Sequence, residues 1–245
     1  MKRLFVFDID HTILSSFGHV PKQTALALSL LKKDNHILAI ATGRGYLESR
    51  SLFEKYDFDY LICNGGASVY DKNGLIYERY FNFNGIDFKN YSCLCYTEKG
   101  FYGNKIPLFF KCFSSFKYLF VPKSAFFILI DGLSNHKPIS SLKKIDVRKF
   151  YIFNHKKMNG FCDYKLFQYW ENEDKQEGIN ELLKRNRDIN EVICFGDSRN
   201  DYTMIKNADK AYCMRKAPEY VKNEATKIIA FKNGIYDVCK ENHWI

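Results

Sequence analysis

The chain has 245 residues, 46% hydrophobic and 27% charged, with a formal net charge of +9. That length suffices for one large or two modest domains with a packed core, and the composition excludes a disordered or fibrous chain. The positive balance favours anionic ligands, but the Lys and Arg are scattered and form no basic block of the kind a nucleic-acid footprint needs.

The 22 Phe and 17 Tyr against 5 Pro predict a well-filled interior. The eight Cys form no CxxC pair, and Cys63, Cys194 and Cys213 fall inside apolar runs, where a thiol acts as a small hydrophobe. That usage fits a reducing cytoplasm. The first apolar run is four residues long and ends in acids, unlike a signal peptide. The longest, Ala125 to Ile130, is too short to span a bilayer. The expected setting is cytoplasmic, with neither membrane nor nucleic acid as partner, and the oligomeric state is not encoded in any pattern.

In chain order, Leu4 to Phe7 is continuously apolar, as in a strand buried on both faces of a parallel sheet. It stops at Asp8-Ile9-Asp10, two carboxylates on one side of an extended segment. Open α/β sheets bind ligands beyond the carboxyl ends of their strands. Paired acids there invite a divalent cation, or a nucleophile with an acid/base partner. Pro21 opens a helix with Ala25, Leu26, Leu28, Leu30 and Leu31 on its apolar face, closed by Lys32-Lys33-Asp34-Asn35. His36 to Ala41 is a second buried strand, ending at Thr42-Gly43-Arg44. Tyr46 to Tyr56 reads as a helix, and Tyr60 to Cys63 as a third strand ending at Asn64-Gly65-Gly66. In a parallel sheet these three ends share one edge. Ala67 to Tyr70 and Leu75 to Phe81 then form a hairpin turning at Asn73-Gly74.

From Asn82 to Tyr169 the character changes. Short aromatic strand-like runs occur at 108–113, 117–121, 125–130, 147–153 and 162–170, with a helical segment centred on Phe88 to Cys95. This predicts an α+β insertion, residues 82–169, within a core of residues 1–81 and 170–245. The α/β pattern then returns. Lys175 precedes a helix, Glu177 to Lys184, and the buried strand Val192 to Phe195 ends at Gly196-Asp197-Ser198-Arg199-Asn200-Asp201. A helix, Tyr202 to Asn207, a strand, Ala211 to Met214, a helix, Pro218 to Ala225, and a strand, Lys227 to Ile229, complete it. The fold class is α/β: a Rossmann-like parallel-sheet core with an inserted α+β domain.

Asp197 and Asp201 bring two more carboxylates to the edge that holds Asp8 and Asp10. Four acids at one spot repel one another unless a cation sits among them. A hard ion such as Mg²⁺ takes oxygen ligands together with a substrate phosphate. Thr42 offers a hydroxyl and the amides that follow it, and Lys175 a point charge.

Asp8-Ile9-Asp10-His11-Thr12, Ala41-Thr42-Gly43-Arg44, Lys175 before a helix and Gly196 to Asp201 together resemble the four motifs of the haloacid dehalogenase-like hydrolases. The insertion after the third strand, with Asn64-Gly65-Gly66 at that strand's end, resembles the Cof-type phosphatases with a C2-type cap. The resemblance covers the core and is weaker in the insertion. It implies a Mg²⁺-dependent phosphatase of small phosphorylated metabolites working through an aspartyl phosphate. By the same resemblance Asp8 is the nucleophile, Asp10 the acid/base, and Thr42, Gly43, Lys175 and Asn200 serve the phosphoryl group. Asp8, Asp10 through its backbone carbonyl, Asp197 and Asp201 are the metal residues. Asn200 orients Lys175 or the phosphate. A phosphomutase or phosphotransferase, or a non-catalytic binding protein on this scaffold, are the alternatives.

Two departures stand out. His11 replaces the Gly of Asp-x-Asp-Gly-Thr and is expected to point to solvent. Cys213-Met214-Arg215-Lys216-Ala217 stands where the family commonly reads Ala-Met-Gly-Asn-Ala, adding positive charge near the phosphate edge. Arg44 reads either as a site residue or as a surface cation at a helix start.

Overall fold

The computed structural model describes residues 1–79, 91–97, 100–106, 135–139, 149–153, 162–164, 167–171 and 174–245. It divides into two compact units, Met1–Glu78 with Glu173–Ile245, and Arg79–Asn172.

The first unit opens with β1 (Arg3–Phe7), α1 (Lys22–Lys33), β2 (Ile37–Ala41), α2 (Tyr46–Lys55), β3 (Tyr60–Cys63), β4 (Ser68–Asp71) and β5 (Gly74–Glu78). The second unit holds β6 (Cys93–Thr97), β7 (Gly100–Asn104), β8 (Lys137–Pro138), β9 (Lys149–Ile152), β10 (Cys162–Tyr164) and β11 (Phe167–Glu171). The chain then returns to the first unit with α3 (Lys175–Arg185), β12 (Glu191–Gly196), α4 (Tyr202–Asn207), β13 (Lys210–Met214), α5 (Glu219–Lys222), β14 (Lys227–Ile229) and α6 (Gly234–Glu241).

The eight strands of the first unit lie in the order β14-β13-β12-β1-β2-β3-β4-β5. From β14 to β3 every pairing is parallel, and β4 and β5 are added antiparallel as a hairpin. The α/β class and the parallel core are those the sequence predicts. Every residue of β2 is buried, and all of β1 from Leu4 onward. Their apolar runs do not alternate because both faces are covered. Phe5, Phe7, Leu38 and Ile40 pack with Leu28 and Leu31 of α1 and Ile235 and Val238 of α6. Leu4, Val6, Ala39 and Ala41 pack on the other face with Ile179 and Leu182 of α3 and Met204 and Ile205 of α4.

Aromatic residues fill the first face, as composition suggests. The Phe7 ring stacks on Phe195 at 4.8 Å and meets Phe58 edge-on at 6.1 Å, and Phe195 stacks on Tyr212 at 5.1 Å. These contacts join β1, β12 and β13 directly beneath the strand ends that carry the acids.

In the second unit the described strands run β10-β11-β9-β6-β7-β8, antiparallel except β7 with β8. The expected runs at 108–113, 117–121 and 125–130 lie outside the described residues. The helix centred on Phe88 to Cys95 is corrected in its described part: Cys93 to Thr97 is a strand, paired with β7 on one side and β9 on the other. Ladder bonds on both edges outweigh a local pattern too short to fix a period. Three further elements go beyond the expected set, one of them the two-residue strand β8 beside β7. β7 closes a hairpin with β6, and α6 buries Ile235, Val238 and Cys239 at helical spacing. Among the described residues no helix is long and apolar enough to cross a membrane.

Phe7→Ala removes the ring that ties β1 to β12 and should lower the unfolding free energy by about 3–5 kcal/mol in a urea titration; a loss under about 1 kcal/mol would show that the aromatic stack does not anchor these strands.

Candidate active site

The chain leaves β1 toward β2 and β3, then returns across the sheet to β12 on the other side of β1. The strand order therefore reverses between β1 and β12, which is where open α/β sheets form a crevice for ligands. Asp8 follows β1 and Asp197 follows β12. The Asp8 amide donates to the Phe195 carbonyl at 2.9 Å, so the ladder continues one residue past the strand and fixes Asp8.

Lys175 is the first residue of α3, and its side chain is fully buried. Its Nζ donates to Asp8 Oδ1 at 2.6 Å and to Asp201 Oδ1 at 2.5 Å. The second oxygen of Asp201 accepts from the amides of Asp197 and Ser198, at 2.9 and 2.8 Å, and from the Ser198 hydroxyl at 3.0 Å. Asp201 thus folds its own loop back on itself while gripping Lys175. Gly196 makes that possible, since a Cβ there would lie 2.7 Å from the Asp201 side chain.

The Asn64-Gly65-Gly66 turn also has a mechanical role. Its Asn64 and Gly65 amides donate to the carbonyls of Arg44 and Thr42, at 2.8 and 3.0 Å, and lock the loop after β2. Gly66, at φ +100°, lets the backbone at Asp174 approach so closely that a Cβ would sit 2.2 Å from the Asp174 carbonyl oxygen. That close approach seats the start of α3, and with it Lys175.

One oxygen each from Asp8, Asp197 and Asp201 lie within 4.8 Å of one another. Burial raises the Asp8 pKa well above the usual carboxylate range, with Lys175 opposing and Asp201 and Asp197 adding to the shift. Burial, and then the Asp201 charge, push Asp197 up to about 7. Burial alone would lower Lys175, but Asp201 and Asp8 outweigh it and raise its pKa. Three crowded carboxylates therefore share one ammonium. An oxygen-only, under-neutralised donor set of this kind fits a hard divalent cation.

Asp10 sits apart from that trio. Its carboxylate is forked by Arg44, with Nε on Oδ2 at 2.9 Å and Nη2 on Oδ1 at 2.5 Å. Arg44 is buried at 6% exposure, which corrects its reading as a surface cation at a helix start. A bidentate guanidinium orients a carboxylate as a single charge cannot. Thr42 is buried, and its hydroxyl accepts from the Arg44 amide at 3.1 Å. The Asn200 side-chain nitrogen lies 3.4 Å from where a Gly43 Cβ would be, so Asn200 faces the Gly43 loop. Its oxygen accepts from the Ser198 hydroxyl at 2.5 Å. Lys175 is oriented by Asp201 rather than by Asn200. His11 is exposed, with φ +59°, a backbone angle that suits the Gly it replaces. Ser198 and Gly66 were not singled out from sequence, although both lie in segments that were.

A Rossmann-like core with acids and a buried lysine at its switch point defines an enzyme class whose site is built from carboxylates. The chain belongs to the haloacid dehalogenase-like hydrolases: the sequence model of the family so described matches residues 5–238. It is 26% identical over 259 aligned positions to MG125 of Mycoplasma genitalium, named as a candidate phosphatase, with 91% of this chain and 89% of the relative covered. Among solved structures it resembles the sugar phosphatase BT4131 of subclass IIB, with a TM-score of 0.69, 21% identity and 99% and 100% of the two chains covered. It also resembles BT1666 from Bacteroides thetaiotaomicron, with a TM-score of 0.74, 17% identity and coverage of 100% and 96%.

Lys175→Met leaves Asp8 and Asp201 buried without their cation and should cost about 3–5 kcal/mol of stability in urea unfolding. Combining it with Asp201→Asn should cost clearly less than the sum of the two single changes; strict additivity would contradict the coupling.

Proposed function

We propose that the protein is a Mg²⁺-dependent phosphatase that hydrolyses phosphate monoesters of small metabolites by way of a phosphoryl group carried on Asp8. The observation that carries this reading is the state of Asp8. It is fixed by its own amide, one oxygen is held by Lys175, and among the described residues nothing donates to Oδ2. A positioned carboxylate with one free oxygen is an in-line nucleophile in waiting.

In this reading Asp8 Oδ2 attacks phosphorus while the bond to the ester oxygen breaks. Asp10 gives that departing oxygen a proton. Water then attacks the phosphorus of the aspartyl phosphate, Asp10 takes the proton back, and the bond to Asp8 breaks to release phosphate. Arg44 keeps the Asp10 carboxylate aimed through both half-reactions. The Thr42 hydroxyl, the Gly43 loop, Lys175 and the Asn200 amide hold the phosphoryl oxygens. Asp8, Asp197 and the Asp10 carbonyl would hold Mg²⁺, with Asp201 contributing from behind because its oxygens already serve Lys175 and the loop amides. Bound there, Mg²⁺ would offset the negative charge of phosphate and carboxylates.

The inserted unit, predicted from sequence as residues 82–169, is the cap in this reading, the part of the chain expected to set substrate specificity. The names of MG125 and BT4131 support phosphatase chemistry and a phosphorylated small molecule. A cytoplasmic setting is supported by Cys93, Cys95, Cys194, Cys213 and Cys239, buried thiols that form no disulfide.

Asp8→Asn should drop phosphate release from a chromogenic ester to background while the circular dichroism spectrum and melting temperature persist; sustained turnover would exclude Asp8 as nucleophile. EDTA should silence the wild-type protein and added Mg²⁺ restore it, with free phosphate as the product. Metal-independent release, or an isomerised ester in place of phosphate, would overturn the reading.

A further inference from the structure

A cavity of about 340 Å³ opens beside the acid cluster on the first unit, at the carboxyl ends of β1, β12, β13 and β14. His11, Phe17, Asp197, Arg215, Lys216 and Phe231 are on its wall. Two of the departures from the family pattern, His11 and the Arg215-Lys216 pair, thus meet at one place. The size and the aromatic lining suit a small organic body held by a few polar groups.

Three features make this a formed site. Phe17 is 81% exposed, more than any other large apolar side chain among the described residues. It is held there by a closed turn: the Gly18 amide donates to the Ser15 carbonyl at 2.9 Å, the Ser15 amide to the His19 carbonyl at 2.9 Å, and the His19 amide to the Ser15 hydroxyl at 3.1 Å. Its outward position is therefore set by the backbone. Arg215 and Lys216 are exposed on a second turn, pinned by the Arg215 amide on the Ile229 carbonyl at 3.2 Å and the Ala217 amide on the Met214 carbonyl at 3.0 Å. Neither makes a salt bridge among the described residues, so two cations stand uncommitted at the rim. Finally, Asp197 belongs both to this wall and to the acid trio, so an occupant of the cavity adjoins the reacting phosphate.

We propose that this cavity is a leaving-group subsite of the core, taking a flat apolar body that carries a second negative group beyond the ester phosphate. The assignment rests on the phosphatase reading for where the ester lies. The ring lies against Phe17 and Phe231, and the distal anion meets Arg215 and Lys216. A lone inorganic anion would leave the aromatic wall unused. A neutral apolar group would leave the cations unused.

The test compares 4-carboxyphenyl phosphate, phenyl phosphate and ethyl phosphate on the wild type, on Phe17→Ala and on the double variant Arg215→Ala with Lys216→Ala. Ratios of kcat/KM between esters, compared across variants, cancel the intrinsic reactivity of each leaving group. The double variant should lower the carboxyphenyl-to-phenyl ratio at least tenfold, through KM. Phe17→Ala should lower the phenyl-to-ethyl ratio several-fold. In parallel, calorimetry with 4-carboxyphenylphosphonate should show at least tenfold weaker binding to the double variant. Phosphonate binding that depends on these residues, without turnover of any ester, would sink the phosphatase reading and keep the subsite. Turnover with ratios and phosphonate affinity indifferent to all three substitutions would sink the subsite and keep the phosphatase.

Discussion

A single buried ammonium, that of Lys175, bridges a carboxylate from the start of the chain to one about two hundred residues later. Like charges this close are tolerable only with a cation among them, because burial weakens the screening that bulk solvent gives. The surrounding structure serves that constraint. The β1–β12 ladder sets Asp8, the Ser198–Asp201 network sets the second carboxylate, and Gly66 lets the start of α3 come near enough to deliver the lysine. One ammonium does not balance three crowded acids. That imbalance is what the proposed divalent ion would offset.

The second charged pair has a different task. Arg44 grips Asp10 with two hydrogen bonds and fixes the direction of its carboxylate. Two aspartates one residue apart are thereby held by different partners. Asp8 is held with an oxygen free, and Asp10 is held by a partner that fixes its direction. The division needs both loops, because Arg44 is itself fastened through its carbonyl by Asn64 after β3.

Much of the core was legible in sequence because its strands are buried on both faces and read as short continuous apolar runs with acids or small residues at their ends. The hidden parts were those decided by distant partners. Cys93 to Thr97 is a strand because of β7 and β9, and nothing local in Cys-Leu-Cys-Tyr-Thr forces that choice. Burial of Arg44 depends on Asp10, 34 residues away, which spacing along the chain does not reveal. Gly66 is visible in sequence as part of Asn64-Gly65-Gly66, but its close approach to Asp174 is set by the fold. The α6 helix carried a readable signal, Ile235, Val238 and Cys239 at helical spacing, within only eight residues. His11 and Arg215-Lys216 were visible as departures, but only the fold brings them to one cavity.

The central claim is that Asp8 carries the phosphoryl group, and trapping it tests the claim most directly. The wild-type protein is mixed with a phosphate ester, quenched in acid within a turnover, digested and analysed by mass spectrometry. The peptide that contains Asp8 should carry the added mass of one phosphoryl group, lost on treatment with hydroxylamine. A phosphoryl group on any other residue, or none at any time point while phosphate is still released, would contradict it.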